Sequence, residues 1–185
     1  MFKSMKTATK NLENDHIYVL KLTDVLKAIT HSEKPDIEHI EDIIDIIRNF
    51  ADGLHHAKEE NLFFPALESK GFSAQQGPVA VMLHEHMLGR NFVKGIDDNL
   101  ELYKKGNKAA LKEIFQNMSG YAELLISHIN KENNILFRMA DKALSDIEQE
   151  NLLKQFETVD QNRSAGTRVN DYINRINNLV LLYNV

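Results

Sequence analysis

Two stretches of this chain are near copies of each other. One is His55-His56-Ala57-Lys58-Glu59-Glu60-Asn61-Leu62-Phe63-Phe64, the other His128-Ile129-Asn130-Lys131-Glu132-Asn133-Asn134-Ile135-Leu136-Phe137. Aligned without gaps, His55 meets His128, Lys58 meets Lys131, Glu59 meets Glu132, Asn61 meets Asn134 and Phe64 meets Phe137. Each copy holds a His and a Glu four residues apart, one turn along a helix, so imidazole and carboxylate share a face. Such a pair can ligate a hard or borderline cation, and a carboxylate can bridge two of them. His56 and Glu60 offer a second register. The aligned Lys-Glu and the final Phe fall in step only for His55 and Glu59. At about 100° per residue, these two also continue the inward stripe of Ile44, Ala51 and Leu62. The expectation is therefore that His55 and Glu59 face the core, while His56 and Glu60 point aside, toward Asn49 and Asp52.

Two further histidines lie on apolar stripes. His86 shares a face with Val79, Met82, Leu83 and Val93, and His16 with Leu12, Val19 and Leu20. Four inward imidazoles and two inward carboxylates cannot be buried cheaply without a common partner, since an unpaired buried carboxylate costs several kcal/mol or turns neutral. A cation cluster satisfies all six. The set contains no thiolate, which suits iron, manganese or zinc, and six donors are too many for one tetrahedral zinc. Two metals that share the carboxylates use them all. His31 sits at a predicted helix end, His39 and His84 lie off the inward stripes, and all three read as solvated. Tyr121, two turns before His128 on the same face, could reach toward the cluster or serve as a core tyrosine.

Four long helices are needed to carry these residues, and the apolar spacing supplies them. The first spans about Thr7 to Thr30. The second follows Pro35 with Ile37, Ile40, Ile44, Ile47, Ala51 and Leu54 on one face and stops at Gly71. A third runs from Gly77-Pro78 to near Gly106, and a fourth from about Lys108 to Ala143. No stretch alternates with period two for long enough to make a strand. Short joints between four long helices make an antiparallel, up-down four-helix bundle, all-α, over about residues 7–145. The remaining 146–185 form a helical extension: a short helix from Asp146 to Thr158, a polar connector from Asp160 to Gly166, and a last amphipathic helix. That last helix, with Val169, Tyr172, Ile173, Ile176, Leu179, Val180 and Tyr183, packs on the bundle's flank or on a second copy, making a homodimer. Residues 1–185 read as a single domain.

The 185 residues are 43% hydrophobic and 26% charged, a globular composition. A net charge of −5 with His neutral argues against nucleic-acid binding. No apolar run is long enough to span a membrane, and Met1-Phe2-Lys3-Ser4-Met5-Lys6 lacks the apolar core of a signal peptide, so the expectation is a cytoplasmic protein. Eight His stand beside no Cys and no Trp, which excludes disulfides, thiolate sites and cysteine nucleophiles.

From Asn14 to Ala143 the sequence resembles the hemerythrin-like (HHE cation-binding) family. The motifs that carry the resemblance are Asn14-Asp15-His16, His55-x3-Glu59 ending in Phe64-Pro65, Gly77-Pro78 followed by Glu85-His86, and His128-x3-Glu132 ending in Leu136-Phe137. The resemblance implies a four-helix bundle around a non-haem di-iron centre. It makes His16, His55, His86 and His128 terminal ligands, and Glu59 and Glu132 the bridging carboxylates of two iron ions that are also oxo- or hydroxo-bridged, with Mn or Zn as substitutes. Two departures separate this chain from the oxygen-carrying hemerythrins. Met82 and Arg90 stand one turn either side of His86, where those carriers have a second His. The last helix has Glu132 four residues after its His, where they have an Asp five on. The pattern is more similar to the branch that includes proteins implicated in repair of iron centres under nitrosative stress, which usually carry an N-terminal cysteine segment; this chain has no cysteine. Two classes of function fit. One is a redox or stress-response protein whose centre reacts with O2, peroxide or nitric oxide. The other is a protein that binds, stores or senses oxygen or iron without turnover.

Overall fold

The computed structural model describes residues 7–162 and 169–185, all helix and joints, with no strand among them. The hexapeptide Met1–Lys6 and most of the expected connector, 163–168, lie outside the described residues. Four helical rods make the body. The first is α1 (Ala8–Thr30). The second joins α2 (Ile37–Ile46), the π-helical segments π1 (Ile47–His56) and π2 (Glu59–Phe63), and α3 (Phe64–Glu68). The third is α4 (Pro78–Lys104). The fourth joins α5 (Ala110–Lys131), π3 (Glu132–Leu136) and α6 (Phe137–Ala143). Two more helices follow, α7 (Asp146–Asn162) and α8 (Val169–Tyr183).

The ends are set by local chemistry. The Thr7 hydroxyl accepts from the Lys10 amide at the start of α1, and the Asp36 carboxylate from the Glu38 amide at the start of α2. The third rod stops at Gly106, whose φ of 99° few other residues adopt. There the Gly106 amide bonds the Tyr103 carbonyl and the Asn107 amide the Leu102 carbonyl, a Schellman closure.

Contacts between neighbouring rods run in opposite numerical order. Asp15 meets Lys58 while Tyr18 meets Phe50. Glu41 meets Lys104 while Glu60 meets His86. Thr9 meets Asp141 while His16 meets Asn133. Gly89 lies against Tyr121 and Gly95 against Asn117. The rods are therefore antiparallel in sequence around a common axis.

Each rod reads apolar, polar, apolar along its inner face, and this divides the core in two. Ala8, Leu12, Phe63, Phe64, Leu67, Val79, Met82, Leu136, Phe137 and Ala140 form one apolar cluster, together with Leu152 and Phe156 of α7. Val19 to Ile29, Ile40 to Leu54, Val93 to Leu100 and Ile114 to Ile129 supply the other, joined by Tyr172, Ile176 and Leu179 of α8. The polar residues lie between them. The last helix rests on the bundle flank through Arg175 to Asp42 and Asp45, and through Lys21 to Asn177. The helix expected to end at Thr158 continues to Asn162.

Candidate metal centre

Seven polar side chains meet in the layer between the two apolar clusters: His16, His55, His56, Glu59, His86, His128 and Glu132, none more than 5% exposed. They fall into two groups whose donor atoms lie within 4.8 Å of one another. One is His16, His55, Glu59 and Glu132; the other is His56, Glu59, His86 and His128. Glu59 belongs to both: its Oε1 lies 3.6 Å from His55 Nε2 and its Oε2 3.4 Å from His86 Nε2. Glu132 Oε2 lies 3.2 Å from His16 Nε2 and 3.3 Å from His128 Nε2. Both carboxylates therefore stand between the two sets of imidazoles.

Every one of the five rings is held from behind. The Nδ1 atoms of His16, His55, His56, His86 and His128 face Asn133 Oδ1 at 2.7 Å, Asp15 Oδ2 at 3.4 Å, Asp52 Oδ1 at 3.2 Å, Glu60 Oε1 at 2.7 Å and Glu85 Oε2 at 3.0 Å. These partners only accept, so each neutral ring keeps its proton on Nδ1 and turns Nε2 toward the centre, where it can ligate. The Nε2 atoms of His16 and His55 are 3.0 Å apart, and those of His86 and His128 are 3.2 Å apart. Once a metal has displaced the protons between them, the nitrogens of each pair converge on one point. All four carboxylate oxygens of Glu59 and Glu132 are buried without a hydrogen-bond donor. Buried carboxylate oxygens without a donor are unfavourable by themselves and favourable around a cation. The donor set fits a metal.

The supporting acids are themselves clamped. Lys58 binds Asp15 at 3.0 Å, Lys131 binds Glu85, and Arg90 binds Asp52 and Glu60 at 2.7 and 2.8 Å. The two lysines are the aligned pair of the repeat, and each holds the acid behind its own copy's histidine. The repeat extends to the backbone, since π2 and π3 both begin at the repeat's Glu. π-helix is well under 1% of residues in globular proteins and concentrates at functional sites, so two copies in register are not accidental.

The backbone also corrects the register expected for the second rod. His56 does not point aside: it is buried and stacked on His86 with ring centroids 3.8 Å apart. The segment before it, π1, has i→i+5 hydrogen bonds, which put more than 3.6 residues in each turn. Successive side chains there are separated by less than 100°, and the phase accumulated from Ile44 brings both His55 and His56 inward. Glu60 stays outside the donor groups and holds His86 instead. His39 is likewise not free in solvent; its Nδ1 meets the Tyr183 hydroxyl at 2.8 Å. Tyr121 is buried and lines a cavity of about 130 Å³ with Ile47, Asp52, His56, Gly89, Arg90 and Val93.

Burial and the neighbouring charges shift the titration of the layer in opposite directions. Burial, with the facing Glu132 carboxylate, pushes the Glu59 carboxyl up to about 7. Burial opposes ionisation of Glu132 too, but His128 and His16 hold it below the usual carboxylate range. Burial, reinforced by the neighbouring His16, holds His55 well below the ordinary imidazole value, and burial beside His86 lowers His56 to about 3. Burial disfavours a charge on His86 as well, yet Glu59 and Glu60 outweigh it and raise that ring to about 9.

Comparison with known proteins agrees with this geometry. The family described as the hemerythrin HHE cation binding domain matches residues 7–140. The chain belongs to this family. The HHE match covers the first three rods, the fourth as far as Ala140, and every residue of the two donor groups. A curated relative, the iron-sulfur cluster repair protein YtfE of Edwardsiella ictaluri (strain 93-146), is 29% identical over 107 residues, 56% of this chain and 46% of that protein. The chain thus spans about half the length of the curated relative it matches. No solved structure matches it. Among the described residues no helix is long and apolar enough to cross a membrane.

Proposed function

We propose that this HHE domain holds a non-haem di-iron centre and serves a redox or stress-response role by reacting with O2, peroxide or nitric oxide. In this reading His16, His55, Glu59 and Glu132 hold one iron, and His56, His86, His128 and Glu59 hold the other. The observation that carries it is the pair of donor groups sharing Glu59, with four buried carboxylate oxygens that have no donor. Imidazoles and carboxylates without thiolate suit iron and manganese, and paired metals in helical bundles are held by such sets. Iron supplies one-electron chemistry and coordination positions beyond the protein's seven donors, where a small ligand could bind. The residues around the centre do the rest. The apolar clusters exclude water, the Nδ1 partners fix each ring, and the cavity between Tyr121 and His56 gives a small molecule room beside the second group.

The relative named for iron-sulfur cluster repair supports a role in stress chemistry of iron. This chain has no cysteine, so any thiol that such repair requires comes from elsewhere. The test is direct. Iron-loaded, anaerobically reduced protein is mixed in turn with peroxide, nitric oxide and O2, and the visible spectrum and reagent consumption are followed. Consumption of peroxide or formation of a nitrosyl spectrum supports the reading. Reversible O2 uptake over repeated argon purges, with no consumption of any reagent, supports storage or sensing instead.

A further inference from the structure

We propose that α7, the helix beyond the family-matched region, straps one half of the metal centre, with Asp160 as a positioning residue that acts on His55 through Lys58 and Asp15. The inference rests on the metal-centre reading above and adds a control element to it.

Lys58 is the observation that needs an explanation. Its side chain is 2% exposed, and its ammonium lies 3.3 Å from Asn11 Oδ1, 3.0 Å from Asp15 Oδ2 and 2.9 Å from Asp160 Oδ1. The Phe156 ring stands 6.0 Å from the same nitrogen. Its counterpart in the repeat, Lys131, is 31% exposed and clamps Glu85. The two copies perform the same service for His55 and His128, but only the first has been sealed, and α7 provides the seal.

The helix is well docked. Phe156 and Leu152 are buried in the cluster beneath the centre, Gln149 Oε1 accepts from the Ala8 amide at 2.9 Å, and Glu148 pairs with Lys70 at 2.6 Å. Asp160, near its end, is thus delivered to Lys58 from a fixed position.

The consequence follows from charge sharing. The ammonium lies between two aspartates, so part of its field is spent on Asp160. Asp15 keeps capacity to accept from His55 Nδ1, a contact that is already long at 3.4 Å. Without the Asp160 charge, Lys58 draws wholly on Asp15, and the hydrogen bond that orients His55 and raises its basicity weakens. Removing such supporting partners typically costs about 10–100-fold in metal affinity when they contact the ligand directly. One step further out, a smaller loss is expected, confined to the metal held by His16 and His55.

The experiment compares wild type, Asp160→Asn and Asp160→Glu in the full chain. Three quantities are read: bound iron and its release to a chelator, the visible spectrum of the loaded protein, and the ¹⁵N imidazole spectrum of the metal-free protein. The expected result for Asp160→Asn is severalfold faster release of one of the two metals, an altered visible band and a moved His55 Nδ1 signal with His128 unmoved. Asp160→Glu should restore all three. If wild type holds two metals and Asp160→Asn matches it in release and both spectra, the strap is wrong while the centre stands. If wild type holds none, the centre is wrong, and the His55 signal still decides whether α7 reaches that ring. A lowered thermal midpoint with an unmoved His55 signal would make Asp160 a clamp on α7 alone and overturn the proposal.

Discussion

His56 is the residue whose place most changes the chemistry. The third helix lacks the second histidine of the oxygen carriers, and Arg90 at that spacing instead clamps Asp52, the acid behind His56. A fifth imidazole therefore reaches the layer from the second rod. His56→Ala is expected to lower bound metal from two ions to about one, a loss as large as that caused by His55→Ala; elemental analysis of the two variants compares them, and an unaffected His56→Ala would remove it from the donor set. The protons make a second test. In the metal-free protein His86 is held up to about 9 and Glu59 up to about 7, so both carry protons near neutral pH that a metal must displace. A raised value means the proton competes below it and is gone above it. Affinity for Mn²⁺ or Zn²⁺ should therefore climb as pH rises through neutrality and level off toward about 9, with proton release visible in calorimetry across buffers of different ionisation enthalpy. Affinity independent of pH, with no proton released, would contradict the charges assigned to the layer. His55, Glu59, His128 and Glu132 were legible in the sequence because two copies align. The acids behind the rings were not, because Asp15, Asp52, Glu60 and Glu85 reach their histidines across rods, or at spacings any surface acid shares.

At the scale of elements, the three π segments do what an unbroken α-helix could not. π1 turns His55 and His56 inward side by side, into different donor groups, and π2 and π3 begin at the two central carboxylates. The helix spans were readable from apolar spacing, and the starts at Thr7 and Pro78 and the turn at Gly106 from their residue types. The π segments were not, since a helical-phase argument assumes a constant 100° and nothing in the side-chain pattern announces the wider turn. This gives a sharp test. Deleting Asn49, an exposed residue of π1, should let the segment close toward α-helix and rotate the histidines out of register. The variant is expected to keep its helix content by circular dichroism and to lose most of its metal. Retained metal at wild-type level would show that π1 does not set the register.

Over the whole molecule, the polar layer is clamped between two apolar clusters, and the C-terminal helices serve different ends of it. α7 joins the cluster with Phe63, Phe64 and Phe137; α8 joins the one with Phe50 and Ile47. Phe137 stacks on His16 at 5.5 Å with planes 5° apart, and Phe64 on His86 at 5.9 Å, so the first cluster also forms the floor of the centre. Burial on both sides is what makes the seven polar groups so costly without a cation and so well placed around one. The amphipathic stripe of α8 was plain in the sequence, but its partner was not, because the same stripe fits a flank or a second copy; in the structure Arg175 reaches Asp42 and Asp45 of its own chain. The most direct measurement is the iron content of the 185-residue chain purified without chelator and loaded anaerobically, determined by elemental analysis against protein concentration. Two ions per chain are predicted, whereas one ion or none at saturation would contradict the paired donor groups on which the functional reading stands.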